Sequence, residues 1–400
     1  MESCRGSRKT ELVHHRRLAT REPARREITE YTEIFCNRIR KQARLGHTHI
    51  LFMKGWRVML PVTPLLSVFM PVYNGADYVR EALESVIDNG FSDLEIVVVD
   101  DASVDNTVRV VESIRHPALR LFRNTTNLGI GRVRQRGITL LRGQFAALLD
   151  HDDIAVAGRF ERQVARLETS DGPDIVGGSI ERFGNNDRPG IVRYPASDAA
   201  IKGMMLFTSP IINPTACMKL APFRAGRIDY SPDLRVGEDY TLWVDAMRAG
   251  LRFENLDTVV TRYRRHAASC TATDYDSVVA QMHVIRGHVA ETYFPELSRR
   301  GCAALANALS SRVSDRQSWI DSVCALAHAA MLSHAVPGID ASEMTNRLAK
   351  QLITFITRGL LVGVADYDTV EAITDSDSNF ERWRAMDRGA LDVRIMEFFG

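Results

Sequence analysis

Three carboxylates fall within four consecutive residues: Asp150, Asp152 and Asp153, with His151 after the first of them. Mg2+ and Mn2+ prefer oxygen ligands, and they often bridge one or two carboxylates to phosphate oxygens. Adjacent like charges repel one another, and a bound cation would relieve that repulsion. The turn is therefore a candidate cation site, although aspartate is also common in turns and at helix N-termini for structural reasons alone.

Two acidic pairs occupy other positions where a carboxylate could act on a substrate. Asp100 and Asp101 end a β-branched run, and a fixed carboxylate there could accept a hydrogen bond from a ring N–H of uracil or guanine. Glu238 and Asp239 begin a helical pattern, where a carboxylate could serve as general base toward an acceptor hydroxyl. Each pair also has a structural explanation, because carboxylates suit turns and are stabilised by the helix macrodipole.

A basic segment, Tyr263-Arg264-Arg265-His266, follows a later strand-like run. Arginine and histidine at a strand end could bind a diphosphate or a metal ion. A single histidine after a strand more often has a structural role.

The surrounding pattern predicts alternating strands and helices from about residue 65, which is typical of βαβ units and a parallel sheet. The short, mostly apolar runs that predict strands are 66–70, 94–99, 119–122 and 145–149. Ligands of open α/β sheets bind beyond the carboxyl ends of the strands. We therefore expect Tyr73-Asn74, Asp100-Asp101 and the acidic turn at Asp150 to converge on one crevice.

Beyond residue 153 the alternation loosens. Further predicted elements are a helix over 160–167, a strand over 175–180, a helix over 238–249 and a strand over 258–263. An alanine- and leucine-rich stretch over 274–366 predicts more helices. The remaining residues are polar and mixed.

Composition limits the classes of function. The 400 residues are 45% hydrophobic and 25% charged, and the net charge of +1 predicts no general attraction to nucleic acid. The six cysteines form no Cys-x-x-Cys pair, which favours reduced cysteines in the cytoplasm. The arginine-rich first sixty residues lack the apolar segment of a secretory signal. Arg358 interrupts the longest apolar run, so we expect no transmembrane segment and at most a peripheral membrane contact.

Six motifs occur in order along residues 65–270. They are Pro71-Val72-Tyr73-Asn74, Val98-Val99-Asp100-Asp101-Ala102-Ser103, Asn127-Leu128-Gly129, Leu149-Asp150-His151-Asp152-Asp153, Gly237-Glu238-Asp239-Tyr240 and Tyr263-Arg264-Arg265-His266. This series resembles the successive motifs of family 2 glycosyltransferases, which are inverting enzymes with the GT-A fold. Each motif is weak by itself, and the ordered set is specific.

The resemblance implies a role for each site residue. The donor-binding residues would be Pro71, Val72, Tyr73, Asp101, Arg134 and Asp150, with Asp101 at the base and Asp150 at the ribose and diphosphate. The metal ligands for Mg2+ or Mn2+ would be Asp152, Asp153 and His266. Asp239 would be the catalytic base, with Glu238 and Arg264 in secondary roles. Arg134 lies in Val133-Arg134-Gln135, where Ala-Arg-Asn is more usual in the family.

The expected architecture is a Rossmann-like, mostly parallel sheet flanked by helices, followed by a helical C-terminal region. The expected domains are a basic extension over 1–60, a GT-A domain over 61–270, a helical region over 271–366 and a polar tail over 367–400. Within the GT-A domain, 65–155 would bind the nucleotide and 156–270 would face the acceptor.

The predicted function is transfer of a sugar, with inversion, from a nucleoside-diphosphate sugar to a hydroxyl of a glycan or lipid-linked acceptor. A UDP-sugar is favoured, and the expected setting is polysaccharide, cell-surface glycan or glycolipid synthesis in the cytoplasm, at the inner face of the membrane. One alternative is a catalytically silent sugar-nucleotide binding protein. Another is a haloacid-dehalogenase-like phosphatase with Asp150 as nucleophile. A nicotinamide dehydrogenase is disfavoured, because Gly129-Ile130-Gly131 lacks the third glycine of that fingerprint.

Overall fold

The computed structural model describes residues 52–53, 56–57, 63–184, 189–225, 228–266, 275–333, 336 and 338–376. The chain divides into two units, Met1–Val62 and Thr63–Gly400. In the first unit, β1 (Phe52–Met53) and β2 (Trp56–Arg57) form a short antiparallel ladder. The rest of the predicted basic extension, and residues 377–400 of the predicted tail, lie outside the described residues.

A nine-stranded sheet forms the centre of the second unit. Its strands are β3 (Leu66–Val72), β4 (Leu94–Asp100), β5 (Leu119–Arg123), β6 (Phe145–Leu148), β7 (Ile154–Ala155), β8 (Ile175–Phe183), β9 (Gly190–Val192), β10 (Cys217–Lys219) and β11 (Phe253–Arg264). The strand order is β5-β4-β3-β6-β10-β8-β11-β7, and β9 pairs with β8.

Twelve helices are described around the sheet. They are α1 (Val79–Ile87), α2 (Thr107–Ser113), α3 (Ile130–Leu140), α4 (Arg159–Leu167), α5 (Asp198–Met205), α6 (Leu220–Arg224), α7 (Glu238–Arg248), α8 (Tyr275–Tyr293), α9 (Arg299–Leu309), α10 (Arg316–Leu332), α11 (Ala341–Leu361) and α12 (Tyr367–Ser376). A single 3-10 turn, Asn213–Thr215, precedes β10.

Strands β3 to β6 pair in parallel, as the alternation of short strand-like runs with helices predicted. The first strand of the series, β3, lies between β4 and β6, so the strand order reverses there. A crevice opens beyond the carboxyl ends of strands at such a reversal, and ligands of α/β proteins bind in it. The predicted polar strand ends therefore share one edge of the sheet.

The other half of the sheet is mixed. β10 pairs antiparallel with both β6 and β8, while β8 and β11 are parallel to each other. The short strands β7 and β9 add two more antiparallel pairs at β11 and β8. The α/β architecture is confirmed, and the sheet is entirely parallel in the half that was predicted to bind a nucleotide and mixed in the other half.

Apolar side chains cover both faces of the sheet because successive residues of a strand point to opposite sides. One cluster joins Val68 and Met70 of β3 to apolar residues of α1, α2 and α4. The second cluster contains Phe69 of β3 together with residues of α3, α7 and the C-terminal helices. The GT-A half and the C-terminal helices therefore share one core.

The alanine- and leucine-rich stretch forms α8 to α11, as expected for a helical region. Its interior includes Trp319 and Phe355, both fully buried. Helix α12 extends into the predicted polar tail, and Val370 and Ile373, one turn apart, are buried on it. None of the described helices combines the length and the apolar character needed to cross a bilayer.

Candidate functional site

The loops after β3 and β4 are tied to each other by hydrogen bonds. Asn74 N donates to Ser103 Oγ, and Val104 N donates to Asn74 Oδ1, each at 2.9 Å. Asn74 and Ala102 adopt left-handed backbone angles, with φ of 49° and 61°. A left-handed alanine costs about 1–2 kcal/mol, so the bonds between the loops hold a strained and fixed shape at the edge of the crevice.

Tyr73 is the exposed residue of the first motif, with 45% of its surface accessible. Pro71 and Val72 are buried within β3, and Val72 O accepts a hydrogen bond from Asp101 N at 2.9 Å. Pro71 and Val72 could therefore meet a nucleotide only through their backbone, as expected from the resemblance, and this contact stays a prediction. Tyr73 alone of the three offers a ring to the crevice.

The Asp101 carboxylate is buried and already accepts hydrogen bonds from the protein. Its Oδ1 accepts from Asn124 Nδ2 at 2.6 Å and from Leu128 N at 2.9 Å. Its Oδ2 accepts from Gly129 N at 2.9 Å and shares Leu128 N at 3.1 Å. A carboxylate has about four acceptor positions, and three donors make four contacts with the two oxygens of Asp101. Asp101 thereby shapes the turn before α3, and its contact with a base stays a prediction.

Arg134 joins the acidic turn to the Glu238-Asp239 pair. Its Nη2 lies 2.8 Å from Asp150 Oδ1, and its Nη1 contacts Glu238 Oε1. The side chains of Arg134 and Glu238 are 8% and 5% exposed, whereas Asp150 is 25% exposed. One guanidinium thus connects the predicted donor side to the predicted acceptor side.

The charges in this cluster perturb one another. Burial by itself would lower the pKa of Arg134, but Asp150 and Glu238 raise it, so the guanidinium stays charged. Burial raises the pKa of Glu238 to about 7, and Arg134 opposes that rise. Burial also raises the pKa of Asp239, again with Arg134 in opposition.

Asp239 is the better placed of the two acids to reach a substrate. It is partly exposed, whereas Glu238 is buried, and its Oδ1 accepts from the neighbouring Tyr240 N at 2.8 Å. A raised pKa brings a carboxylate closer to the range in which it works well as a general base. The pair therefore consists of a buried ion-pair partner and an accessible carboxylate.

Asp152 and Asp153 face in different directions. Asp152 Oδ2 lies 2.8 Å from His266 Nε2, and both side chains remain partly exposed. Asp153 is buried, and its Oδ1 accepts from Arg264 N at 2.8 Å. Its Oδ2 is buried without a hydrogen-bond partner among the described residues. Burial, followed by the charges of Asp152 and Asp150, raises the pKa of Asp153 well above its ordinary value.

Arg264 holds the acidic turn in place. Its Nε donates to Asp152 O at 2.8 Å, and its Nη2 lies 2.5 Å from Glu81 Oε2. The guanidinium also lies between the rings of Tyr78 and Phe183, 5.0 Å and 4.4 Å from their centroids. These contacts make Arg264 a support of the turn, and its secondary role at the site stays a prediction.

The structure brings only two of the three predicted metal ligands, Asp152 and His266, into contact. Among the described residues, no three or more His, Cys, Asp or Glu side chains are grouped as metal ligands. Asp153 faces the interior, which leaves the Asp152 carboxylate with His266 beside it. Mg2+ is often bound through one or two carboxylates plus substrate phosphates and water, so Asp152 fits a site of that kind.

Sequence reasoning missed two buried residues that support the site. Arg159 at the start of α4 donates to Pro214 O, Thr261 Oγ1 and Leu148 O at 2.7–2.9 Å, beneath the acidic turn. Tyr230 donates from its hydroxyl to Asn213 Oδ1 at 3.1 Å, and the Arg134 guanidinium lies 6.0 Å from the centre of its ring. Neither residue belongs to a local pattern that would have identified it.

Comparison with known proteins agrees with this geometry. Residues 67–225 match the model for glycosyl transferase family 2. An uncharacterized glycosyltransferase of Haemophilus influenzae is 30% identical over 214 residues, which cover 51% of this chain and 66% of that protein. The Escherichia coli UDP-Glc:alpha-D-GlcNAc-diphosphoundecaprenol beta-1,3-glucosyltransferase WfaP is 26% identical over 231 residues, which cover 56% and 86%.

A solved structure shares the fold. The crystal structure of S. aureus TarS (residues 1–349) in complex with UDP-GlcNAc superposes with a TM-score of 0.51 at 21% identity, covering 80% of this chain and 91% of that one. The family match also removes the phosphatase and dehydrogenase alternatives. Residues 67–225 therefore form a glycosyl transferase family 2 region, within a chain that shares the GT-A fold of that crystal structure.

Proposed function

We propose that the protein transfers a sugar from a UDP-sugar to a hydroxyl of a glycan or lipid-linked acceptor, with inversion at the anomeric carbon. The observation that carries the proposal is the partly exposed Asp239. It begins α7 beside Glu238, which Arg134 links to Asp150 at the carboxyl end of β6. A base and a donor-side carboxylate are thereby held in one rigid cluster.

In the proposed reaction, a carboxylate oxygen of Asp239 takes the proton of the acceptor hydroxyl. The acceptor oxygen forms a bond to the anomeric carbon while the bond from that carbon to the diphosphate oxygen breaks, and the nucleoside diphosphate departs. A single displacement inverts the configuration. Tyr73 and Asp101 contact the base, and Asp150 lies toward the ribose and diphosphate. The burial that raises the pKa of Asp239 strengthens it as a base.

A divalent cation, Mg2+ or Mn2+, completes the proposed site. Asp152 would hold it, with His266 beside it, and the cation would supply positive charge to the leaving diphosphate. Asp153 is not included among the ligands, because its carboxylate is buried against Arg264 N.

The relatives support the substrate classes. WfaP is named for a UDP-glucose donor and a diphosphoundecaprenol-linked acceptor, and TarS was crystallised with UDP-GlcNAc. We infer a role in the synthesis of a cell-surface glycan, polysaccharide or glycolipid. A lipid-linked acceptor would be met at the cytoplasmic face of the membrane.

The test is release of nucleoside diphosphate from a panel of UDP-, GDP- and dTDP-sugars. Asp239→Asn should lose nearly all turnover while keeping its affinity for the nucleotide, because it keeps the size of the side chain and removes the base. Asp233→Asn is the matched control, since Asp233 is 79% exposed and pairs only at the surface with Arg132. EDTA should remove activity, and Mn2+ or Mg2+ should restore it.

Full activity of Asp239→Asn would show that this residue is not the base. Full activity in EDTA would exclude the cation. If the wild-type protein binds UDP-sugars but releases no nucleotide with any sugar or acceptor, it is a silent sugar-nucleotide binding protein.

A further inference from the structure

Three residues on one face of helix α8, in the C-terminal region, contact the chain before and after the acidic pair Glu238-Asp239. Gln281, Ile285 and His288 are spaced by four and three residues, so they lie on the same side of the helix. Gln281 Oε1 accepts from Arg235 N at 2.7 Å and from Val236 N at 3.2 Å. The contacts begin directly before α7, whose first residues are Glu238 and Asp239.

The middle contact of this face lies on Gly237. A side-chain carbon at position 237 would lie 2.5 Å from Ile285 Cδ1 and 3.4 Å from Met282 Sδ. Gly237 also has a φ of 74°, which favours glycine on backbone grounds alone. Helix α8 thus packs directly on the turn that starts α7.

The third contact continues along α7. His288 Nε2 lies 3.0 Å from Asp245 Oδ1, two turns after the acidic pair. The face of α8 therefore follows α7 from the turn that precedes it to its middle. The position of Asp239 depends on how this turn enters the helix, and α8, a helix of the C-terminal region, packs against that entry.

Other contacts of the preceding segment are of a different kind. Arg132 Nη2 donates to Asp233 Oδ1 at 2.9 Å, and Gln135 Nε2 donates to Asp229 Oδ2 at 3.0 Å. Both are contacts between two side chains. Gln281 instead accepts from two consecutive backbone N–H groups, the last of them three residues before Asp239, and so it constrains the path of the chain itself.

We propose that Gln281 is a positioning residue for the catalytic base, and that the C-terminal helical region belongs to the transferase machinery through it. This inference rests on the proposed function of Asp239. The side-chain amide oxygen holds the Arg235–Gly237 turn so that Asp239 points at the acceptor hydroxyl. Binding of the nucleotide, on the opposite side of the cluster, does not depend on this contact.

The experiment compares Gln281→Met with Gln281→Glu in the full chain. Methionine keeps the length of the side chain and removes the acceptor, whereas glutamate keeps an acceptor for both N–H groups. UDP-sugar turnover and the Kd for UDP are measured for both. Gln281→Met should lower kcat about tenfold, since two hydrogen bonds are lost and each factor of ten corresponds to about 1.4 kcal/mol. The Kd for UDP should not change, and Gln281→Glu should retain most of the turnover.

Gln317→Met is the control, because Gln317 is an exposed glutamine of α10 whose amide donates to Asp321 Oδ1. It should leave both quantities unchanged. A general loss of folding would lower kcat and UDP affinity together and would not be rescued by glutamate. Should Gln281→Met fail to fold, Ile285→Val provides a milder change, since it removes the methyl group above Gly237. It should reduce kcat about threefold at constant Kd, a smaller loss because one methyl contact replaces two hydrogen bonds.

Wild-type kcat in Gln281→Met, or equal losses in the methionine and glutamate variants, overturns the inference. If Gln281→Met does not fold, wild-type kcat in Ile285→Val also overturns the inference. Asp239→Asn is assayed in parallel. If it is inactive while Gln281→Met is fully active, the proposed function stands and the positioning role falls. If Asp239→Asn is fully active, the proposed base falls and the positioning role falls with it.

Discussion

The link between Arg134, Asp150 and Glu238 makes a prediction about stability that can be worked out in detail. Arg134→Met keeps the aliphatic stem and removes the guanidinium, which leaves the buried Glu238 and the quarter-exposed Asp150 without their partner. Breaking a buried ion pair in this way typically costs about 3–5 kcal/mol. We expect the free energy of unfolding to fall by about that amount at pH 8.

The cost should depend on pH. Burial raises the pKa of Glu238 to about 7 from 4.5, and Arg134 is the group that opposes this rise. A carboxyl group with a raised folded pKa contributes stability at low pH, and this stability is lost as the pH rises through the folded value. Without Arg134 the pKa of Glu238 rises further, so at pH 6 the residue takes up a proton. The neutral carboxyl group avoids most of the cost of burying an unpaired charge. The loss on Arg134→Met should therefore be smaller at pH 6 than at pH 8.

The assay is urea unfolding at both pH values for wild type, Arg134→Met, Glu238→Gln and the double variant. The double-mutant cycle should give a coupling of about 2 kcal/mol between Arg134 and Glu238, as expected for contacting charges. Arg347→Met is the control, because Arg347 and Glu343 form a half-exposed pair one helical turn apart. Such pairs contribute about 0.3–0.5 kcal/mol. An Arg134→Met loss no larger than that of Arg347→Met, or a cycle without coupling, would refute the reasoning.

Two further predictions concern the loops of the crevice. Ala102→Gly should raise the free energy of unfolding by up to about 1 kcal/mol, because the φ of 61° strains alanine. Relief of this strain, about 1–2 kcal/mol, exceeds the cost of the added entropy of the unfolded chain. A urea midpoint that falls, as expected for the control Ala76→Gly, would contradict this. Asp153→Asn should keep Mn2+-stimulated turnover, since asparagine retains the acceptor for Arg264 N, whereas Asp152→Asn should lose the stimulation. The two variants are distinguished by measuring UDP release as Mn2+ is titrated in. Equal losses of stimulation would restore Asp153 as a ligand.

The sequence by itself determined the half of the sheet that forms the crevice. Strands β3 to β6 are short, mostly apolar runs with polar residues closely after them, and both signals are local in the chain. Because parallel strands align their carboxyl ends, the convergence of Tyr73, Asp101 and Asp150 followed without coordinates. The mixed half was not predictable in the same way, since β10 has three residues and its direction is set by its two neighbours.

Tertiary structure decided which residue of an acidic motif stays exposed, where a substrate could reach it, and which residue is buried. Asp152 and Asp153 are adjacent and chemically alike, yet one lies beside His266 and the other is buried against Arg264 N. Spacing within a turn cannot predict such a difference, because it depends on what packs beneath the turn.

Contacts between residues that are far apart in the sequence also could not be predicted from it. Arg134 reaches Asp150 across 16 positions and Glu238 across 104, and Gln281 reaches the Arg235–Gly237 turn from 45 or 46 residues away. Patterns of hydrophobicity and turn residues report on neighbours in the chain, whereas these contacts exist only because α3, α7 and α8 pack together on one face of the sheet. The chain thus specified its acidic residues locally, and the packing of distant helices determined which of them stay accessible and which are buried in ion pairs.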